Sequence, residues 1–373
     1  MKKSALLPYF FVVMLWVSCA QNSKNSIKSA PSDVINLVQI TDAIAQPWGL
    51  AFLPDHSILI TERTGTLWHY RDGNLTEITN VPSVYVHGQG GLMDVEIHPN
   101  FAENKWIYLS YSYTKDTKVG GNTAILRATL RNNQLLEKKI LYQGGPQTKK
   151  GQHFGSRLEF DTNGYLYFSI GDRGNRNMNP QDVKRDGGKI YRINDDGSIP
   201  KDNPFVNTSG AKSAIFSYGH RNPQGLTLHP ETGKLWEHEH GPRGGDEINV
   251  IEKGKNYGWP VITYGINYSG TKITNETSRP GMEQPIYQWT PSIAPSGMTF
   301  VSSKKYPDWK GDLLVGSLAF QYLELVEMDK NKVVGRQRLL DGEGRLRSVK
   351  QSPDGFIYVG IEGKGVFRLE PGK

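Results

Sequence analysis

Apolar and polar residues alternate with a period of two through most of the chain, and the alternating runs come in pairs separated by a turn. The first pair is PWGLAFLPDHSILITER from Pro47: an apolar strand, a Pro-Asp-His-Ser turn and a second, β-branched strand. The pattern returns as GGLMDVEIHPNFAENKWIYLSYSY from Gly90, SRLEFDTNGYLYFSIGD from Ser156 and PQGLTLHPETGKLWEHEH from Pro223. It appears again as PSGMTFVSSKKYPDWKGDLLVGSL from Pro295 and GRLRSVKQSPDGFIYVGIE from Gly344, which makes six copies. Most are followed by a further strand, such as TLWHY, AILRATL, KIYRI, YLELVEM or GVFRLE. One copy alone cannot bury both of its faces, whereas six packed radially can. The predicted fold is therefore all-β, a six-bladed β-propeller around a central channel, occupying residues 35–373. The copies start about forty to seventy residues apart, so several carry insertions, and such insertions map to loops on one face. Ligands meet a propeller at the loops of one end of its channel, which directs attention to the polar residues at those turns.

Composition agrees with many short elements. The 373 residues include 41 glycines and 21 prolines, several in turn pairs such as Asn163-Gly164 and Asp354-Gly355. The net charge of +7 is spread along the chain without a clustered basic run, which argues against a nucleic-acid partner and suits an anionic small ligand. The beginning, MKKSALLPYFFVVMLWVSCAQ, has a basic start, an apolar run and a small residue before Cys19. Residues 1–18 read as an export signal, too short for a comfortable membrane span. Cys19 is the only cysteine, so an intramolecular disulfide is impossible. Trp-Val-Ser-Cys resembles a bacterial lipobox, with Trp16 where leucine is usual, and implies a lipidated Cys19 and a periplasmic, envelope-anchored protein. The alternative is ordinary cleavage that discards Cys19. Residues 19–34, polar and rich in Ser, Asn and Lys, read as a flexible tether.

The stretch LWEHEHGPRGGDEINV, residues 235–250, carries the densest candidate chemistry. Strand alternation sends Glu237 and Glu239 to one side and His238 and His240 to the other. No HExxH or CxxC accompanies them, which disfavours zinc. The following GPRGGDEIN reads as a loop, where free carbonyls and carboxylates suit calcium, a hard cation with oxygen ligands. A solvated acidic turn is the bland alternative.

Taken together, GQGGLMDVEIHPNF, HFGSRLEFDTNGYLYFSIGDRG, GKIYRINDDGSIPKDNPF, SYGHRNPQGL, EHGPRGGDEINVIEKGKNYGWP and GRLRSVKQSPDGFIYVGI resemble the soluble pyrroloquinoline quinone (PQQ)-dependent aldose sugar dehydrogenases, also called glucose/sorbosone dehydrogenases. The likeness runs from about residue 36 to 370. It implies PQQ and calcium as cofactors, an aldose substrate and an external electron acceptor, because the chain has no haem or iron–sulfur motif. PQQ is a planar ortho-quinone with three carboxylates, so its site needs cationic forks and flat apolar walls. By the resemblance, Gln89, Arg221, Asn222, Arg345 and Arg347 hold the cofactor. Gly241 and Pro242 offer carbonyls to an active-site calcium, and Glu247 with Tyr257 belongs to a second, structural calcium. His153 occupies the position of the general base, Asp172 that of its acidic partner, and Arg221 stabilises developing charge. The implied reaction removes the anomeric hydroxyl proton and passes hydride from C1 to the quinone, giving a lactone. His238 and His240 are then packing groups.

One departure stands out: Ala319, in GSLAFQYLEL, replaces a lysine that contacts the cofactor in glucose-oxidising members. Tyr264, Tyr268 and Trp289 are aromatic candidates for either the sugar pocket or the core. Two other function classes compete. A calcium-dependent lactonase would need side-chain carboxylates and amides converging on one axial calcium. A lipid-anchored binding propeller would not need Arg221, Arg345 and Arg347 to converge.

Overall fold

The computed structural model describes residues 28–29 and 35–372. The export signal, Cys19 and most of the predicted tether lie outside the described residues. Six antiparallel sheets of four strands, one of them extended by a fifth, account for the chain. The innermost strands are Pro47–Phe52, Leu92–Ile97, Leu158–Phe160, Pro223–Leu228, Pro295–Phe300 and Leu346–Gln351, which begin blades 1 to 6 in order. Each of the six sequence copies supplies the two inner strands of one blade, so the predicted six-bladed propeller is the observed fold. Among the described residues, helix is limited to Phe101–Asn104 and the 3-10 turn Pro307–Trp309, and no helix is long and apolar enough to cross a membrane.

Blade 6 takes its outermost strand from the other end of the chain. Ile35–Gln39 pairs antiparallel with Gly365–Pro371, from Ile35 opposite Pro371 to Gln39 opposite Phe367, and closes the ring. Closure removes the free edge that a last blade would otherwise present. Lys28–Ser29 pairs in parallel with Lys332–Leu339 of blade 5, so the stretch predicted as a flexible tether contains a strand. Backbone pairing needs no apolar side chain, which is why composition did not reveal it.

Period-two alternation explains the core. In blade 1, Leu50, Phe52, Ile58 and Ile60 face blade 6 with Tyr358 and Val366, whereas Ala51, Leu53, Leu59 and Leu67 face blade 2 with Leu92, Val95 and Leu109. The other four seams are filled in the same way, and each of these clusters straddles two neighbouring blades. The ring is therefore held by side chains that no single blade could bury alone.

The GPRGGDEIN segment is loop, as predicted, only over its first half, residues 241–245. Asp246–Val250 is the third strand of blade 4, paired with Leu235–Glu239 on one side and Tyr287–Trp289 on the other. Acidic residues and Asn disfavour strands in isolation, but here their polar ends are buried among partners, which overrides the propensity.

Candidate active site

Every blade delivers residues to one cavity, mostly where its innermost strand begins. Gln46 and Trp48 come from blade 1, Gln89 from blade 2, His153 and Phe154 from blade 3, Arg221 and Gln224 from blade 4, Ala294 from blade 5, and Arg345 and Arg347 from blade 6. The cavity has an outer part of about 550 Å³ around His153, Asp172, Arg221, Pro242 and Trp259. An inner part of about 390 Å³ lies among Trp48, Arg63, Met93, Phe154, His240, Arg345 and Arg347. Gln89 and Tyr268 line both parts, so the two are continuous.

His153 has left-handed backbone, φ 58°, a conformation uncommon for residues other than glycine. Gln89 helps to hold it there: its Oε1 accepts the His153 backbone N–H at 2.8 Å. The glycine of the SIGD turn permits close approach, since a Cβ on Gly171 would lie 2.5 Å from the His153 carbonyl oxygen. His153 Nδ1 lies 2.6 Å from Asp172 Oδ1. Asp172 also accepts from Gly174 N–H at 2.7 Å and, through Oδ2, from Trp259 Nε1 at 2.9 Å. An ionised Asp172 fixes the tautomer with the proton on Nδ1, which leaves Nε2 of His153 as a free base. Burial lowers the His153 pKa and the charge of Arg221 adds to this, against the raising effect of Asp172. Burial opposes ionisation of Asp172, yet hydrogen bonding to His153, then the nearby positive charges and Trp259, keep its carboxyl below the ordinary value. At neutral pH the pair is a neutral imidazole beside a carboxylate.

Arg221 donates through Nη1 to the His240 carbonyl at 2.8 Å, while its buried Nε has no hydrogen-bond partner. An orphaned guanidinium donor beside the cavity fits an anionic oxygen supplied by a ligand. Glu239 fixes the backbone here, since its Oε2 accepts the N–H groups of both Arg221 and Asn222. Asn222 is buried, and its Oδ1 accepts from Gly155 N–H at 3.1 Å; its side chain braces the cavity floor and is not among the lining groups. Arg345 and Arg347 converge on Glu362, each at 2.7 Å, at the wall of the inner part. Three arginines from two blades, with Trp48, Phe154 and Trp259 as flat walls, fit a planar polycarboxylate.

Pro242 lines the outer part and Gly241 precedes it. The bend between them is shaped by Asp246, whose carboxylate accepts from Gly241 N–H at 2.7 Å, from the Ser292 hydroxyl and from Ala294 N–H at 3.0 Å. Asp246 therefore holds the bend, and of the two acidic residues beyond it only Glu247 is left for a cation. Glu247 stands opposite Glu239 in the strand pair. Glu239 and Glu237 both lie 3.3 Å from Nδ1 of His220, as the alternation predicted for the two glutamates. Tyr257 stacks on His220 with ring centroids 4.6 Å apart, but its hydroxyl is engaged by Val250 O and Glu252 N–H. Neither oxygen of fully buried Glu237 has a hydrogen-bond partner. Burial and then repulsion from Glu239 raise the Glu237 pKa, and the same causes act on Glu247. Two buried carboxylates and the half-buried Glu247 against one imidazole, with both oxygens of Glu237 orphaned, fit a hard cation.

His238 packs against Gly225, and His240 donates from Nε2 to the Pro295 carbonyl at 2.6 Å; both are held neutral, first of all by burial. Trp289 is core, buried between blades 4 and 5 with Nε1 on Glu324, whereas Tyr268 is 75% exposed at the cavity mouth. Tyr264 lines a separate lateral groove. Ala319 is exposed beside Leu318 of the inner wall, and its N–H is bonded to the Ile293 carbonyl. Trp259, Trp48, Arg63, Glu237 and His220 were not singled out as site residues. Trp259 stands in the quoted KNYGWP motif, but nothing in its spacing points to Asp172. On the axis the Arg157 guanidinium bonds to main-chain carbonyls and to Asp94, which sets a cation where a lactonase-like site would need carboxylates and amides free to converge, and the convergence of the three arginines is what a purely binding propeller would not require.

The glucose/sorbosone dehydrogenase family description matches residues 44–368. The chain is 42% identical over 359 residues to the aldose sugar dehydrogenase YliI of Escherichia coli K12, covering 94% of each chain. The apo crystal structure of the soluble aldose sugar dehydrogenase from Escherichia coli superposes with a TM-score of 0.86 at 42% identity, over 90% of this chain and 99% of that one. The PQQ-bound aldose sugar dehydrogenase of Streptomyces coelicolor gives 0.75 at 27% identity, over 91% and 99%.

Proposed function

We propose, from the premise that this chain belongs to the glucose/sorbosone dehydrogenase family, that it oxidises the C1 hydroxyl of aldose sugars to lactones with PQQ and calcium as cofactors. That it is an oxidoreductase acting on sugar CH–OH groups follows from the family itself. The finer reading rests on one observation above all: a neutral His153, oriented by Asp172, shares a cavity with the orphaned donor of Arg221 and the paired arginines of blade 6.

Arg221, Arg345 and Arg347 would hold the cofactor carboxylates and quinone oxygens, with Trp48 and Phe154 as flat walls. The Gly241–Pro242 bend would hold the calcium beside them, and Glu247 with the Glu237 and Glu239 cluster and Tyr257 would hold the second ion. When bound, the quinone accepts hydride and the calcium polarises its carbonyl group. The sugar sits in the outer part, beside His153 and Trp259. Nε2 of His153 takes the proton of the C1 hydroxyl as the C1 hydrogen leaves as hydride, and Asp172 stabilises the imidazolium that forms. Arg221 faces the negative charge that develops on oxygen. Export and attachment through Cys19 complete the proposal, on the strength of the leader sequence; Cys19→Ala should abolish lipid labelling of the mature protein.

The test is reconstitution. Protein supplied with PQQ and calcium should reduce a dye when aldoses are added, and His153→Ala should lower kcat by about a hundred- to ten-thousand-fold with PQQ still bound. Absence of PQQ uptake, or turnover by His153→Ala at the parent rate, would defeat the reading.

A further inference from the structure

The cavity mouth is electrically lopsided. Four segments border it on the side of blades 2 to 4, residues 146–153, 173–178, 240–245 and 264–274, and a fifth, the hairpin 114–120, packs against the first of them. They are joined into one arc by hydrogen bonds. Lys115 N–H reaches Gln147 Oε1 at 3.1 Å, Lys150 Nζ reaches Gly174 O, Arg176 reaches Asn267 Oδ1 at 2.7 Å, and Arg243 N–H reaches Ile266 O. The arc exposes Lys115, Lys118, Lys149, Lys150, Arg243 and Lys272, and Asp116 is the one carboxylate residue in these five segments. Among the described residues none of the six cations has a carboxylate within 4.0 Å. On the side of blade 6 the exposed cation differs, since Lys364 is paired with Glu343.

Large apolar side chains are exposed in the same region. Val119 at 53%, Met178 at 52% and Tyr268 at 75% stand on the arc, and Val86 at 44% lies next to it, close to Gln89. Of these groups only Tyr268 and Lys150 line the cavity; Lys115, Lys118, Lys149, Val119 and Met178 lie outside it, where they cannot touch a bound sugar. The cofactor carboxylates have their own arginines deeper inside.

We infer that this arc is the docking surface of an acidic one-electron redox protein, such as a haem protein with a negatively charged face, which re-oxidises the enzyme. The inference rests on the dehydrogenase reading above. Each sugar oxidised leaves two electrons on the cofactor; two ferric partners become ferrous in succession, and two protons leave to solvent. The cations steer the acidic partner to the mouth, where complementary charge raises the encounter rate, and the apolar side chains supply the dry centre of the contact. A protein partner fits better than an anionic membrane, because the same mouth must open to a water-borne sugar between electron transfers.

The experiment uses holoenzyme loaded with PQQ and calcium and reduced with excess of an aldose that the reconstitution assay shows to be a substrate. It is mixed with an acidic c-type cytochrome, a lysine-rich cytochrome c, or an uncharged short-chain ubiquinone, and re-oxidation is followed by absorbance. The acidic cytochrome should react at least about tenfold faster than the basic one at low ionic strength, and salt should erase the advantage. The double variant Lys118→Glu, Lys149→Glu should lose about tenfold with the acidic cytochrome while reducing the neutral quinone at the parent rate. Equal rates with the two cytochromes, or an unaffected double variant, would overturn the inference alone. Salt-sensitive binding to phosphatidylglycerol vesicles through these lysines, without cytochrome preference, would assign the arc to a membrane and overturn it too. Failure of every aldose to reduce the loaded cofactor would instead remove the dehydrogenase reading.

Discussion

At the scale of single residues, the proposed reaction depends on keeping one imidazole neutral and oriented. Burial, reinforced by Arg221, holds His153 below the ordinary histidine value, so its base form persists into mildly acidic solution. The sign follows: protonation disables the base, and a lowered pKa moves that loss to lower pH. The acid limb of kcat/KM for the sugar should therefore lie below about 6.5, and replacing Arg221 by a neutral residue should move it upward. Trp259 supplies the second anchor of the dyad, at 2.9 Å from Asp172. Trp259→Phe keeps the ring and removes the donor; a hydrogen bond to a charged group is worth about 1.5–3 kcal/mol, so kcat should fall by roughly ten- to a hundredfold. Steady-state kinetics of the loaded variant, with PQQ binding followed separately, checks this. His153, Asp172 and Arg221 were legible because each stands in a distinctive motif. Trp259 was not, because its role is a distance across the fold that its neighbours in sequence do not encode.

At the scale of elements, the run from Leu235 to Val250 was half legible. Its alternation correctly separated two glutamates from two histidines, because a strand leaves no other arrangement. The state of Asp246–Val250 was hidden, since the burial that makes these polar residues a strand is supplied by blade neighbours distant in sequence. The resulting cluster of Glu237, Glu239 and Glu247 is costly without a cation. Burial raises the pKa of Glu237 and Glu247 above the ordinary carboxylate value, whereas the unfolded chain ionises them normally. The folded state then binds more protons than the unfolded state above the unfolded pKa, and stability of the metal-free protein should fall as pH rises from there toward the raised folded values. Calcium, held there as proposed, would bind the deprotonated groups and should reverse that trend. Chelation should accordingly lower the unfolding temperature more at pH 8 than at pH 6, as differential scanning calorimetry would show, and Glu237→Gln should shrink the difference.

At the scale of the whole molecule, the six repeats and their period-two faces announced a ring, and the seams between blades follow from that alternation. What occupies the axis could not be read from any repeat, because it is one side chain serving five blades. Arg157 of blade 3 donates from Nε to Gln224 O of blade 4 at 2.6 Å and from Nη2 to Arg347 O of blade 6 at 3.0 Å. From Nη1 it reaches Trp48 O of blade 1 and the Asp94 carboxylate of blade 2, each at 3.3 Å, and its guanidinium stacks on the Trp48 ring at 4.1 Å. Three of its partners, Trp48, Gln224 and Arg347, also line the inner cavity, so the axle and that cavity share a wall. Removing the guanidinium would leave Asp94 buried beside empty carbonyls, and breaking a buried ion pair from one side costs about 3–5 kcal/mol. Arg157→Met should therefore lower the denaturant midpoint sharply while the far-ultraviolet circular dichroism below the transition stays that of a β-protein. If the loss comes from the abandoned charge, adding Asp94→Asn should restore part of it, and the double variant should be less destabilised than the two single losses summed. If instead the arginine acts mainly by tying the blades through their carbonyls, the second substitution should give no recovery, and the midpoint of the double variant would separate the two accounts.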